Sequence, residues 1–333
     1  MFLFQRFLEK GNKIKSSISR IDVHTHVIPP VWGKGLSEHG GDPSGWTLPE
    51  WTPQTALDFM DSNKIGTSVL SLTAPGVCGW KGQARLEMAR KVNEYTADVV
   101  QKHPKRFGNF LTLPLSEIEG ALKEIEYGFD HLKADGVVLL SNYEGMYLGD
   151  SALEPVWKEL NKRSAVVFVH PNDPSVPGKF VIPGPVVDYP FDTTRSAAQM
   201  VYNGVMDRYQ NIKVILAHAG GFLPFAVRRF AELIPVVRKA RHEENIPTAN
   251  SLMETFRKFY FDTALSSSPE GLPSLLAFAK PGHVLFGSDN PYASRPVSES
   301  FVYMLDNYKD FKDGQYDSIN QDGALELFPR LKA

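Results

Sequence analysis

A single-domain α/β fold, a (β/α)8 barrel of the TIM type, is what this sequence predicts, and three observations lead there. Eight short apolar runs recur along the chain, segments of helical periodicity lie between them, and the residues able to do chemistry gather at the ends of the runs. The runs are IDVHTH from Ile21, SVLSLTA from Ser68, FGNFLTL from Phe107 and DGVVLLS from Asp135. Then come AVVFVHP from Ala165, KVILAHAGG from Lys213, FYFDTA from Phe259 and HVLFGSDNP from His283. Nearly unbroken β-branched and aromatic runs are what strands covered on both faces look like, as in a parallel sheet.

The intervening segments read as helices. ARLEMARKVNEYTADVVQKH sets Leu86, Ala89, Val92 and Tyr95 near one face. EIEGALKEIEYGFDHL, ALEPVWKELNKR and TTRSAAQMVYNGVMDRY repeat the pattern, the last with Asp192 and Thr193 as its expected caps. Strand–helix alternation carried through eight times argues for a closed barrel. An open doubly wound sheet is the alternative, but no GxGxxG follows any of the strands. Such barrels run to ~250 residues and more as one domain, so a chain of 333 residues needs no second one. The barrel is assigned to residues 21–333, with residues 1–20 as an N-terminal extension.

That extension, MFLFQRFLEKGNKIKSSISR, is basic and carries apolar residues at mixed spacing. Arg6 and Lys10 interrupt it, which makes a poor secretory core. It reads as a surface extension before the first strand, with a transit peptide or membrane-surface helix as the other reading. No apolar run approaches the ~20 residues of a membrane span. The formal charge of −2 gives no global attraction to nucleic acid. Cys78 is the only cysteine, so no intrachain disulfide or thiolate cluster forms, and a reducing, cytoplasmic setting is expected.

In α/β barrels catalytic groups project from the C-terminal strand ends. His24 and His26 close the first run, His170 the fifth, His218 the sixth and Asp289 the eighth, so four of the nine histidines point into one mouth. Alternate residues of a strand share a face, so His24 and His26 can reach one ion. A lone HxH is also met as a structural pair, but His170 and Asp289 complete a donor set. Three neutral imidazoles and a carboxylate suit one divalent ion, zinc first, with manganese or iron possible. No organic cofactor is expected. His39, His103, His131, His242 and His283 fall in loops, helices or at a strand start and receive no role.

IDVHTHVIPP, FVHPND, ILAHAGGFLPF and FGSDNPY resemble the diagnostic segments of the amidohydrolase-related decarboxylases. That family includes aminocarboxymuconate-semialdehyde decarboxylase and hydroxybenzoate decarboxylases such as those of 6-methylsalicylate. The resemblance runs from Ile21 to about Pro329. It implies a distorted (β/α)8 barrel, with His24, His26, His170 and Asp289 on the metal and His218 as an acid–base group beside it. An imidazole titrates near ~6.5 and can exchange a proton at neutral pH. The resemblance also implies that Arg229, in HAGGFLPFAVRRF, reaches a neighbouring subunit's pocket to meet a substrate carboxylate. A homodimer at least would follow, although Arg228 beside it leaves the register open.

Two reactions compete for this donor set. Decarboxylation needs an ion to hold the carboxylate and an adjacent oxygen, and an acid to protonate the ring carbon; His218 and Asp289 are both candidates for that acid. Hydrolysis of a lactone or amide instead needs an ion that lowers the pKa of water toward ~7. Many hydrolases of this superfamily bridge two ions with a lysine on strand four, and DGVVLLSNY contains none. Tyr189, Phe191, Trp32, Trp80, Phe222 and Tyr292 lie near the expected mouth, where aromatic walls suit a planar substrate. The muconate decarboxylase carries an arginine in its first long loop. Here VIPPVWGKGLSEHGGDPSGWTLPEW holds only Lys34, so a bidentate clamp is missing. A salicylate-type aromatic monocarboxylate is therefore the expected substrate, and a lactone or amide hydrolase is the alternative.

Overall fold

The computed structural model describes residues 19–39, 41–174 and 182–332. Eight strands run in parallel: β1 Arg20–His26, β2 Ile65–Ser71, β3 Phe107–Thr112, β4 Gly136–Leu140, β5 Val166–His170, β6 Lys213–Leu216, β7 Tyr260–Asp262 and β8 Val284–Leu285. Sequential strands pair throughout. β8 returns to β1 through Val23 N–H to the Phe286 carbonyl at 3.0 Å, His26 N–H to the Asn290 carbonyl at 2.8 Å and a Thr25–Asn290 bridge. The eight expected runs are these eight strands, and the barrel closes.

Two layers of core explain why the runs are apolar on both faces. Inside the barrel, Ile21, Val23, Phe110, Phe168, Ile215 and Tyr260 pack together, joined from the base by Ala324 and Phe328 of the C-terminal segment. On the outside, Val167, Val169 and Leu216 meet the helices. Inward and outward residues alternate along β5, so Val166, Phe168 and His170 face the interior. On β1 the register slips against β2 between Asp22 and Thr25. Ile21 and Val23 belong to the interior below the slip, and His24 and His26 face the interior above it.

The helices that bear on the site are α1 Pro30–Glu38, α2 Pro53–Ser62, α3 Gln83–Lys102, α4 Ile118–Asp130, α5 Glu154–Lys162, α6 Gly184–Tyr202, α7 Val205–Arg208 and α8 Leu223–Ala240. Three differ from expectation. The first long loop contains α1, started by Pro30 and Val31. The helix read as opening at Asp192 begins eight residues earlier at Gly184, so Asp192 and Thr193 are interior rather than caps. It stops at Tyr202, where Asn203 and Gly204 (φ +73°) separate it from α7. On α3, Ala89 and Val92 are buried as expected, whereas Leu86 and Tyr95 lie at the half-buried edge.

Arg20, counted with the extension, is the first residue of β1. It is buried, donating to Asn320 Oδ1 at 2.7 Å and the Asn63 carbonyl at 2.7 Å, and pairing with Asp306. Residues 1–18 of the extension lie outside the described residues. Among the described residues no helix is long and apolar enough to cross a membrane.

Candidate metal centre

The interior of the barrel's C-terminal end brings together all the residues assigned to the metal. His24 Nε2 lies 3.2 Å from His26 Nε2, and Asp289 Oδ1 lies 3.2 Å and 3.1 Å from these two nitrogens. His24, His170, His218 and Asp289 each offer a donor atom within 4.8 Å of the others. His24, His26 and His170 are buried, and His218 is the partly exposed member.

The hydrogen bonds behind the rings fix which nitrogen faces inward. His24 Nδ1 donates to Asp262 Oδ2 at 2.8 Å, and His170 Nδ1 to the Pro171 carbonyl at 2.8 Å. His218 Nδ1 donates to the Ala264 carbonyl at 3.0 Å. His26 Nδ1 faces Ser71, whose carbonyl is at 3.3 Å and whose hydroxyl, itself donated to the Thr25 carbonyl, is at 3.1 Å. Carbonyls and a carboxylate accept only, so in each ring Nδ1 carries a proton and Nε2 is the nitrogen turned inward.

Inward ring nitrogens and a carboxylate oxygen at such distances need positive charge among them, which a second proton on His24 or a divalent ion supplies. The separations of 3.1–3.2 Å match the roughly 3.3 Å expected between donors that share a tetrahedral ion at ~2.05 Å. The electrostatics point the same way. Burial opposes protonation of His24, but Asp262 and Asp289 outweigh it and push the ring up to about 10, so the centre favours positive charge. Burial holds His26 and His170 neutral, lowering both, His170 strongly. Burial would raise Asp289, but the charge of His24 and the hydrogen bonds from His24 and His26 hold it well below the usual carboxylate range. The donor set therefore fits one divalent ion.

Two residues that sequence reasoning passed over shape this centre. Asp262, fully buried at the end of β7, holds His24 from behind. Asp22, also fully buried, accepts from Ser288 Oγ at 2.6 Å and from the Ser288 and His24 amides at 3.1 Å. Burial pushes Asp22 up to about 7 despite the Ser288 hydrogen bond. It ties the HxH strand to the loop that carries Asp289. Gly287 lets that loop approach: a Cβ there would lie 2.8 Å from the Cβ of His24.

The aromatic residues divide. The Tyr189 ring lies 6.2 Å from His170 and the Tyr292 ring 5.5 Å from His26, so these two flank the centre. Tyr292 Oη is buried and, among the described residues, has no hydrogen-bond partner. Phe191 and Phe222 meet at a tilt, their ring centroids 4.3 Å apart, on the exposed surface. Trp32 and Trp80 are core residues, with Trp32 Nε1 donating to the Gly76 carbonyl at 2.7 Å.

Asp192 is not a cap. It is buried within α6 and accepts from Ser141 Oγ, from Asn142 Nδ2 at 2.7 Å and from Tyr147 Oη at 2.6 Å. Ser141 Oγ also accepts the Asn172 amide at 2.9 Å, two residues past His170. Lys34 is exposed and reaches Glu38 at 3.8 Å, so the first loop supplies no cation to the centre. β4 carries no lysine. Arg229 is exposed on α8, and Arg228 beside it pairs with Glu232 at 2.8 Å.

The profile of the amidohydrolase family matches residues 21–330. A 6-methylsalicylic acid decarboxylase of Penicillium expansum is 39% identical over 322 residues, covering 95% of this chain and 98% of that protein. An amidohydrolase II of known structure superposes with a TM-score of 0.86 at 33% identity, covering 93% of this chain and all of that one. A dihydroxybenzoic acid decarboxylase from Polaromonas sp. JS666, solved with manganese and 2-nitroresorcinol, superposes with a TM-score of 0.78 at 22% identity, covering 95% and 98%.

Proposed function

The chain belongs to the amidohydrolase family, and from that premise we propose that it is a metal-dependent, non-oxidative decarboxylase of a salicylate-type hydroxybenzoic acid. The observation that carries this reading is the cluster of inward-facing imidazoles and Asp289, with the partly exposed His218 beside it. The lysine-free β4 favours one ion over a bridged pair. The Penicillium expansum relative is a decarboxylase of a planar aromatic monocarboxylate, and Tyr189 and Tyr292 offer flat walls for such a ring.

His24, His26, His170 and Asp289 would hold the ion. Zinc is the first assignment on the donor set, and manganese, the ion of the Polaromonas enzyme, is the second. Bound there, a divalent ion supplies positive charge that holds the carboxylate with its neighbouring oxygen and stabilises electron density on the ring.

His218 is assigned the proton. Its Nδ1 is committed to the Ala264 carbonyl, so the imidazolium form would give its Nε2 proton to the ring carbon bearing the carboxylate and return to the neutral ring. Protonation there interrupts aromaticity. Breaking the carbon–carbon bond then releases CO2, and its electron pair restores the ring with hydrogen in place of the carboxylate. Asp289, the other candidate donor, already faces both His24 and His26 and is assigned to the ion. Tyr189 and Tyr292 exclude water from the face of the cluster.

A second cation could share the substrate carboxylate with the ion, and the first loop offers none. We assign that task to Arg229 of a second copy, which makes the working unit a homodimer at least. The single Cys78 agrees with a cytoplasmic setting.

The test is a panel of hydroxybenzoates and lactones offered to metal-loaded protein, with CO2 release and ring opening both measured. CO2 from a 2-hydroxybenzoate is expected. Lactone opening with no CO2 from any acid would establish the hydrolase instead.

A further inference from the structure

One side chain touches both halves of the centre. Asp262 Oδ2 accepts from His24 Nδ1 at 2.8 Å, and Oδ1 accepts from the His218 amide at 3.0 Å and the Ala264 amide at 2.9 Å. The Ala264 carbonyl in turn accepts from His218 Nδ1 at 3.0 Å. The carboxylate is fully buried, so leaving either oxygen without its donors would be costly.

His218 needs such an anchor. Its φ is +53°, followed by Ala219 at +58°, and a left-handed run of non-glycine residues is strained. Asp262 Oδ1 fastens the amide of the first of these residues. It also holds the Ala264 backbone, whose carbonyl fixes the His218 ring. Oδ2 meanwhile fixes the tautomer in which His24 presents Nε2 inward.

We propose that Asp262 is a positioning residue shared by the two functions: one oxygen sets the metal-binding tautomer of His24, and the other sets the backbone and ring orientation of His218. The proposal rests on the reading above for the roles of the two histidines.

Its test divides the oxygens. In Asp262→Asn the amide oxygen can keep the His218 and Ala264 amides, but the NH2 group faces His24 Nδ1 and cannot accept from it. His24 must then move its proton to Nε2 or turn away. In Asp262→Ala both sets of bonds are lost. Chelator competition with zinc should show affinity lowered ~10–100-fold in both variants. At saturating zinc, turnover should fall by at least ~10-fold more in the alanine variant than in the asparagine variant.

Nitrogen NMR of ¹⁵N-histidine-labelled, zinc-loaded wild type should show His24 protonated at Nδ1, a readout that needs no variant and no substrate. Wild-type zinc affinity and an unchanged His24 tautomer in Asp262→Asn would overturn the proposal. So would equal saturated turnover in the two variants. If the wild type releases no CO2 from any acid, the functional reading fails, while tautomer and affinity still judge Asp262.

Discussion

His24 Nε2 and His26 Nε2 face each other at 3.2 Å, and each ring carries its proton on the far nitrogen. Two ring nitrogens at that distance, with Asp289 beside both, call for positive charge between them. Purified protein should therefore carry close to one equivalent of zinc or manganese. His170→Ala and Asp289→Ala should each lose the ion or bind it weakly, as measured by elemental analysis after dialysis. Near-stoichiometric metal in the double variant would remove the assignment.

His218 should matter more for rate than for metal. Its position within 4.8 Å of the other donors makes a fifth-ligand role the direct competitor. His218→Asn is expected to keep the ion and the fold while losing ~10²–10⁴-fold in turnover, the span of a general acid or base. Metal content measured beside kcat separates the two roles, since loss of both together would make it a ligand.

The acidic rim of the mouth should make stability depend on pH. Asp173 is pushed up to about 6 by burial and by the neighbouring Asp42, Asp188 and Asp192. A raised carboxyl pKa means that the folded chain keeps a proton that the unfolded chain releases. Stability from this group is present below the unfolded value of 3.8 and is lost as pH rises through about 6. Asp173→Asn should flatten the pH dependence of Tm between those limits and raise Tm at pH 7. An unchanged pH profile would contradict the assignment.

The strands and the residues that converge at their ends were legible because each announces itself locally. The eight runs are short but nearly unbroken apolar stretches, and HxH, FVHP and FGSDNP stand at the ends of three of them. Asp22 and Asp262 were not, because a single acid inside IDV or YFD shows no spacing with a partner. The signal was there all the same: an acid within a buried strand must have donors. Asp192 was misread for another reason. Its donors, Ser141, Asn142 and Tyr147, lie 45 to 51 residues away in the chain, and local capping rules cannot see them. The start of α6 at Gly184 was missed because Pro190 inside the helix reads as a breaker.

Those donors make Asp192 a strong test of packing. Asp192→Ala would leave the Ser141 and Tyr147 hydroxyls without that acceptor and Asn142 with only the Asp173 carbonyl, at a cost of roughly 2–4 kcal/mol. The shift should appear in the denaturant midpoint of the metal-free protein. Asp192→Asn should cost less, because its amide oxygen can still accept. Equal stability of wild type and the alanine variant would mean that the network carries no net energy.

Arg229 is the prediction that extends past a single chain. It stands on an exposed face of α8 with Phe225 four residues before it and Leu233 and Val236 four and seven residues after it. Residues at these spacings share one side of a helix. Phe225 is 86% exposed, Val236 60% and Leu233 45%, an apolar stripe that a second copy would cover. Arg228 is engaged by Glu232, and among the described residues Arg229 forms no ion pair, which favours Arg229 over Arg228 as the residue that crosses. Its planar fork suits a carboxylate better than an ammonium would. Arg229→Ala should raise KM for the acid by about tenfold or more, as loss of one charge-assisted pair would. Mixing Arg229→Ala chains with His218→Asn chains should restore part of the activity, because one of the two sites in each hybrid then has both residues. Recovery is read from turnover after the heterodimer is verified by mass spectrometry. No recovery, or full activity in a monomer, would rule out the shared site.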